Sequence, residues 1–139
     1  MIRIVADTNV DISAIVFGGT CEAILALARA GVVDLAVSPP ILRELRCVLR
    51  DTFAWPDAQV REAMAEIAGL SSLVRPAIRL SGIVSHDSDH RLLECAVAAQ
   101  AAFLVTGNTK HFESLKSFQG VQIVTPRQFL DLLRPADSG

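Results

Sequence analysis

Residues 1–9, which read MIRIVADTN, decide the fold of this chain. The segment Ile2–Ala6 is short, largely β-branched and apolar, which is typical of a strand buried on both faces. It ends at three short polar residues, Asp7, Thr8 and Asn9. Because open parallel sheets bind ligands outside the carboxyl ends of their strands, we expect Asp7 and Asn9 at the rim of a site. Asp7 also fits a second interpretation, the N-cap of the helix that follows.

The composition indicates one compact domain spanning residues 1–139. Hydrophobic residues make up 51% of the chain and charged residues 20%, which argues against disorder. The formal net charge is −2, so the protein has no overall basic field. Any contact with nucleic acid must therefore come from a local patch or from a bound metal ion.

The cysteines and the N-terminus predict a cytoplasmic protein. Cys21, Cys47 and Cys95 lie far apart in helical patterns and lack the spacing of a zinc site, so we expect reduced, mostly buried thiols. Met1 leads directly into the first strand and leaves no room for a signal peptide. The apolar stretches are broken by Gln100 and by glycines, which predicts no membrane span.

Strands and helices alternate along the whole chain. This pattern predicts an α/β fold, a three-layer α/β/α sandwich with a central, mainly parallel β-sheet. Segment 71–79 fits either a short strand or an extended connection. Further strands are predicted over 34–37, 101–105 and 121–124. Helices are predicted over 10–17, 40–50 and 57–70, and from the Thr20 N-cap to Gly31. Another helix begins in the polar cluster 85–90, and the last runs from the Thr125 cap through Leu133 and stops at Pro135.

Polar side chains from distant parts of the chain are predicted to converge. Asp7 follows the first strand, and Asn108 follows the strand 101–105 in the segment TGN. Glu44 borders the apolar stripe of the helix 40–50. Asp89 lies on the inward side of its helix, one turn before the apolar stripe, with Asp87 close by.

Grouped carboxylates need compensation, because burying one without a partner costs several kcal/mol and like charges add to that cost. Arginine partners, protonation and divalent cations are the options. Arg43 and Arg46 are predicted on the opposite, solvated face from Glu44, which favours cations held by carboxylate oxygens. The alternative is that Asp87 and Asp89 only cap a helix while Glu44 reaches solvent.

Four motifs, in this order and in this context of strands and helices, resemble the PIN domain family. They are DTNV after the first strand, ILREL in a helix, DSDHRLLECA at the start of a later helix, and FLVTGN at the end of a strand. The phrases SPPILREL and VTPRQFL fit the VapC-like toxin components of bacterial toxin–antitoxin pairs. The resemblance covers essentially the whole chain.

The resemblance implies a metal-dependent endoribonuclease that uses Mg²⁺ or Mn²⁺ to hydrolyse RNA phosphodiester bonds. It also implies that the protein is the toxin of a type II toxin–antitoxin pair, that it binds a cognate antitoxin, and that it forms a homodimer. The apolar side of the helix 57–70 would serve either partner.

Matched by position, Asp7, Glu44 and Asp89 correspond to the catalytic acids of the family. Together with Asp87 they correspond to its metal ligands. Asn108 stands where many PIN domains have a further aspartate, which puts a second metal ion in doubt.

Other polar residues are candidates for support. Asn9 matches a polar neighbour of the first acid, and Thr8 and Ser13 are placed to orient ligands, although Thr8 also fits a residue that only completes the turn. Lys110 and His111 come just after Asn108 and fit either phosphate contacts or a solvated loop. His86, His90 and His111 are candidates for proton transfer, although such histidines are more often surface or capping groups.

Three other functions compete with the nuclease. A haloacid-dehalogenase-like phosphatase needs a second acid where Asn9 stands, and its later acids follow a strand, whereas Asp87 and Asp89 begin a helix. A nicotinamide-binding fold lacks its glycine motif here. The main alternative is a PIN-like scaffold that binds RNA or protein without cleaving, which Asn108 favours.

Overall fold

The computed structural model describes residues 1–84, 86–112 and 117–133. Two positions used above, Ser85 and Pro135, lie outside these residues. The elements in chain order are β1 (Ile2–Ala6), α1 (Thr8–Val16), α2 (Gly19–Arg29), β2 (Val33–Val37), α3 (Pro39–Cys47), a π-helical turn (Val48–Thr52), α4 (Asp57–Gly69), β3 (Ser71–Leu73), α5 (Asp87–Ala99), β4 (Phe103–Val105), a 3₁₀ turn (Thr109–Phe112), β5 (Ser117–Phe118), β6 (Val121–Val124) and α6 (Pro126–Leu132).

The strands form one sheet in the order β3-β2-β1-β4-β6-β5. All neighbouring pairs are parallel except β5 with β6. After β1 the chain continues to β2 on one side, while β4 joins β1 on the other side, with Ile4 opposite both Leu35 and Phe103. The strand order therefore reverses between β1 and β4, and the residues that follow these strands lie where such sheets bind ligands.

The sheet lies between two helical layers, as predicted. Ile4 and Ala6 pack into a core with apolar residues of α1, α2, α4 and α6, whereas Val5 packs on the other face with Leu92 and Leu93 of α5. Burial of β1 on both faces explains its apolar sequence. The prediction of a three-layer α/β/α sandwich with a mainly parallel sheet is confirmed.

Several predicted boundaries were wrong. Thr20 does not cap α2, because that helix begins at Gly19 and its N-cap is Gly18, which makes no side-chain cap hydrogen bond. Both glycines have positive φ, 75° and 70°, a conformation that glycine adopts without steric cost, and the helices on either side meet at 100°. The α-helix predicted over 40–50 ends at Cys47 and continues as the π-helical turn.

Two short elements were not predicted, the 3₁₀ turn after β4 and the antiparallel strand β5. Other predictions held: segment 71–79 begins with β3, and Thr125 caps α6 in a capping box with Gln128. The prediction of mostly buried thiols was wrong in part. All three cysteines are free, but only Cys95 is buried, whereas Cys21 is half-buried and Cys47 is exposed.

Within the described residues, no single helix is both long and apolar enough to cross a bilayer. Only α1 and α2 taken together reach that length and composition, and they are bent by 100°.

The connection between β3 and α5 is fastened to α5 by buried side chains. The Glu94 carboxylate accepts hydrogen bonds from the Leu80 amide at 2.6 Å and from Arg91 Nη2 at 2.9 Å. His90 Nε2 accepts from the amides of Ile83 and Val84 at 3.1 and 3.3 Å. His90 is thus a structural residue, and α5, which carries Asp87 and Asp89, is held in place along its first turns.

We predict that Glu94→Ala lowers the free energy of unfolding by about 3 kcal/mol, because it leaves the Arg91 charge and the Leu80 amide without this partner in a buried site. Urea denaturation followed by circular dichroism measures the loss. The matched control is Glu66→Ala, which removes an Arg29 pair that is 54% exposed on the glutamate side. That loss should stay below about 1 kcal/mol, and equal losses in the two variants would contradict the prediction.

Candidate active site

Asp7 links the end of β1 to the start of α1. Its Oδ1 accepts a hydrogen bond from the Asn9 amide at 3.2 Å, so Asp7 is the N-cap of α1. Its Oδ2 accepts from the Thr106 hydroxyl at 2.7 Å. The residue is only 7% exposed and lies at the carboxyl edge of the sheet. The position of Asp7 therefore agrees with both interpretations, because the residue caps α1 and also lies at the carboxyl edge of the sheet.

Thr106 is a residue of the site to which the sequence assigned no role. It follows β4 and is fully buried, and its hydroxyl oxygen accepts from the Asn108 amide at 3.0 Å while donating to Asp7. Thr106 thus fixes the rotamer of Asp7 and the turn that leads to Asn108. The signal in the sequence was its place at a strand end, but only the fold brings it to a partner 99 positions away.

The structure brings the three predicted acids, Asp7, Glu44 and Asp89, into one electrostatic cluster. Burial raises the pKa of Glu44, and the charges of Asp7 and Asp89 raise it further. Burial also raises the pKa of Asp89, with His111 acting against burial and Asp7 adding to it. The charge of Asp7 therefore disfavours the ionised forms of both Glu44 and Asp89.

Two histidines lie against Asp89. The distance from Asp89 Oδ2 to His111 Nδ1 is 2.9 Å, and to His86 Nδ1 it is 3.7 Å. The two imidazole rings stack with their centroids 4.2 Å apart and an interplanar angle of 18°. Neither Asp89 Oδ2 nor His111 Nδ1 has a partner in true hydrogen-bond geometry among the described residues, although both atoms are buried.

The other predicted site residues differ in their exposure and in their contacts. Asp87 is 79% exposed on its side chain, which lies 3.5 Å from Arg91 and 3.8 Å from His90. Asn108 is half-buried and Lys110 is exposed, both close after β4. Ser13 is half-buried in α1 and interacts with the thiol of Cys21 in α2.

Asp11 is a buried acid that the sequence analysis missed. It lies one turn after Asp7 in α1 and is 2% exposed, and its Oδ1 has no hydrogen-bond partner among the described residues. Burial raises its pKa from 3.8 to about 8, and the charge of Asp7 contributes to the shift. The signal in the sequence was a single acid inside the apolar helix 10–17. Asp11 is thus protonated at neutral pH.

We predict that Asp11→Asn stabilises the protein, and more so as the pH rises from 4 to 8. In this range the folded protein keeps the proton on Asp11 while the unfolded chain releases it, so stability falls with pH by up to about 1.4 kcal/mol per unit. Asparagine has nearly the shape of the protonated acid and carries no such cost.

The measurement is the free energy of unfolding of both proteins at intervals between pH 5 and 8. The control is Asp51→Asn, since Asp51 is an exposed acid. A difference between Asp11→Asn and the parent protein that does not change with pH would contradict the prediction.

The fold and sequence of the chain match known proteins. The structure is similar to the crystal structure of VapBC2 from Rickettsia felis bound to a DNA fragment from their promoter, with a TM-score of 0.67 and 17% identity over 89% of this chain and 98% of that one. It is also similar to DNA-bound VapBC from Salmonella typhimurium, with a TM-score of 0.65 and 15% identity over 91% and 99%. No curated protein matches the chain. Residues 3–110 match the PIN domain family, and since this is most of the sequence, the chain belongs to that family.

Proposed function

We propose that this protein is a metal-dependent endoribonuclease, the toxin component of a type II toxin–antitoxin pair, which hydrolyses RNA phosphodiester bonds. The observation that carries the proposal is the convergence of Asp7, Glu44 and Asp89 from β1, α3 and α5 on the place where the strand order reverses. Within residues 1–84, 86–112 and 117–133, no arginine or lysine forms an ion pair with these three acids. A cation from outside the described chain is therefore needed to offset their mutual repulsion.

The residues present fit a divalent cation such as Mg²⁺ or Mn²⁺. Carboxylate oxygens are the preferred ligands of these ions. Asp89 Oδ2 is buried without a hydrogen-bond partner in the described chain, so it is available as a ligand. A bound ion would offset the repulsion that raises the pKa of Glu44 and Asp89.

An ion held by Asp7, Glu44 and Asp89 would polarise the phosphoryl oxygen and lower the pKa of a bound water. The chain supplies the geometry. The hydrogen bonds from Thr106 and from the Asn9 amide fix both oxygens of Asp7, so this carboxylate is already oriented before RNA binds. Lys110, which is exposed two residues after Asn108, is our candidate for a phosphate contact, since the protein has no overall basic field and needs local positive charge to bind RNA.

The antitoxin is the proposed protein partner. The VapBC structures that resemble this fold support a partner of that kind. A groove between α3 and α4, with a volume of about 390 Å³, is lined by three apolar side chains and three arginines. This chemistry suits a helical segment with apolar anchors and flanking acidic residues. The groove is lined by Leu42, Arg43, Arg46, Val60, Arg61 and Met64.

Homodimer formation and the cytoplasmic location stay predictions. Light scattering of the purified protein measures the first, and fractionation of cells that express it measures the second.

We expect the purified protein to cleave labelled RNA in Mg²⁺ or Mn²⁺ and not in EDTA. Asp7→Asn and Asp89→Asn should each lower the rate at least about 100-fold, because each removes a charged ligand. Glu62→Gln, which neutralises an exposed acid on α4, is the matched control and should leave the rate unchanged.

The outcomes separate the nuclease from the scaffold. Cleavage that persists in both aspartate variants would contradict the assigned residues or indicate a contaminating nuclease. If no RNA is cleaved and Mn²⁺ does not raise the melting temperature, the chain is a PIN-like scaffold that binds without cleaving.

The toxin role predicts that induced expression of the protein alone arrests bacterial growth. The arrest should disappear with Asp7→Asn, because toxicity then depends on hydrolysis, and persist with Glu62→Gln. Colony counts after induction, with immunoblots that show equal expression of the three proteins, provide the measurement. Equal growth arrest by the Asp7→Asn variant would contradict a toxin that acts through this site.

A further inference from the structure

His86, Asp89 and His111 form a cluster whose composition differs from the all-oxygen site proposed above. One ligand atom from each side chain lies within 4.8 Å of the other two. The two imidazoles reach Asp89 from the residue before α5 and from the 3₁₀ turn after β4. The cluster thus joins two chain segments that are distant in sequence at the edge of the sheet that holds Asp7.

The distances fit ligands around one ion. A transition-metal ion with bonds of about 2.1 Å holds adjacent ligand atoms about 3.0 Å apart and opposite ones about 4.2 Å apart. Asp89 Oδ2 is 2.9 Å from His111 Nδ1 and 3.7 Å from His86 Nδ1, which falls close to that range. The His86 side chain is 57% exposed, so its imidazole can shift by the few tenths of an ångström that coordination requires.

A second, independent observation points to a ligand. Asp89 is 5% exposed, and its Oδ2 has no hydrogen-bond donor among the described residues. His111 Nδ1, which faces this oxygen, is also buried without a partner in hydrogen-bond geometry. These two buried atoms lie 2.9 Å apart without the angles of a hydrogen bond, and a cation bound to both as adjacent ligands would satisfy them.

We propose that His86, Asp89 and His111 bind a first-row transition-metal ion, such as Co²⁺ or Zn²⁺, in preference to Mg²⁺. Imidazole is a favourable ligand for these ions, whereas Mg²⁺ prefers oxygen and keeps its waters. Two imidazoles and one carboxylate leave coordination positions open for water or a phosphate oxygen. The inference rests on the proposed function only for its catalytic consequence, since binding of the ion is measured without RNA.

The test is calorimetric titration of the full chain with Co²⁺, Zn²⁺ and Mg²⁺, together with the visible absorption of bound Co²⁺, which reports nitrogen ligands. We expect Co²⁺ and Zn²⁺ to bind at least about tenfold more tightly than Mg²⁺. His86→Ala and His111→Ala should each weaken Co²⁺ binding at least about tenfold and change its spectrum, while Mg²⁺ binding changes by less than about twofold.

The matched control is Lys110→Ala, which alters the neighbour of His111 in the same 3₁₀ turn and should leave Co²⁺ binding unchanged. His86 is exposed, so the His86→Ala variant will fold even if the His111→Ala variant does not. Circular dichroism checks both variants. Co²⁺ binding that is unaffected in His86→Ala, or a chain that binds Mg²⁺ as tightly as Co²⁺, would overturn the inference.

RNA cleavage separates this inference from the proposed function. A chain that binds Co²⁺ through both histidines but cleaves no RNA would contradict the nuclease and support the transition-metal site. Cleavage in Mg²⁺, with Co²⁺ binding independent of both histidines, would support the nuclease and overturn the transition-metal site.

Discussion

The hydrogen bond from Thr106 to Asp7 joins the carboxyl ends of the two central strands, and the candidate site depends on it. The β1 and β4 strands are parallel neighbours, so their last residues meet at one edge of the sheet, where the strand order reverses. Backbone hydrogen bonds continue across this edge, from the Asp7 amide to Val105 and from the Thr106 amide to Val124. The carboxylate of Asp7 is therefore held by the sheet itself rather than by a flexible loop.

That rigid position has an electrostatic cost. Asp7 raises the pKa of Glu44, Asp89 and Asp11, three acids contributed by three different helices. The structure offsets the repulsion differently at each of them. Asp11 lies in the apolar core and takes a proton, whereas Asp89 lies beside two imidazoles. Glu44 is half-buried and forms no ion pair with an arginine or lysine among the described residues.

The sequence predicted what depends on periodicity and strand ends. The β1 segment, the sandwich and the inward position of Asp89 followed from apolar patterns, which the two cores of the fold require. It did not predict the partnership of Thr106 with Asp7, because the pairing of strands so distant along the chain is a tertiary property. Asp11 was missed because its burial depends on protonation, and the start of α2 was misplaced because Gly18 provides its turn by a positive φ instead of a side-chain cap.

The residue at position 108 changes the charge of the site without changing the hydrogen bonds that hold Asp7. The backbone amide of Asn108 donates to Thr106, and any residue except proline could donate the same hydrogen bond. Asparagine in place of the aspartate common in PIN domains thus preserves the geometry of Asp7 and removes one negative charge. A site with fewer carboxylates attracts hard cations less strongly, while the imidazoles of His86 and His111 add ligands that favour softer ions. The same framework is therefore compatible with the transition-metal site that we propose.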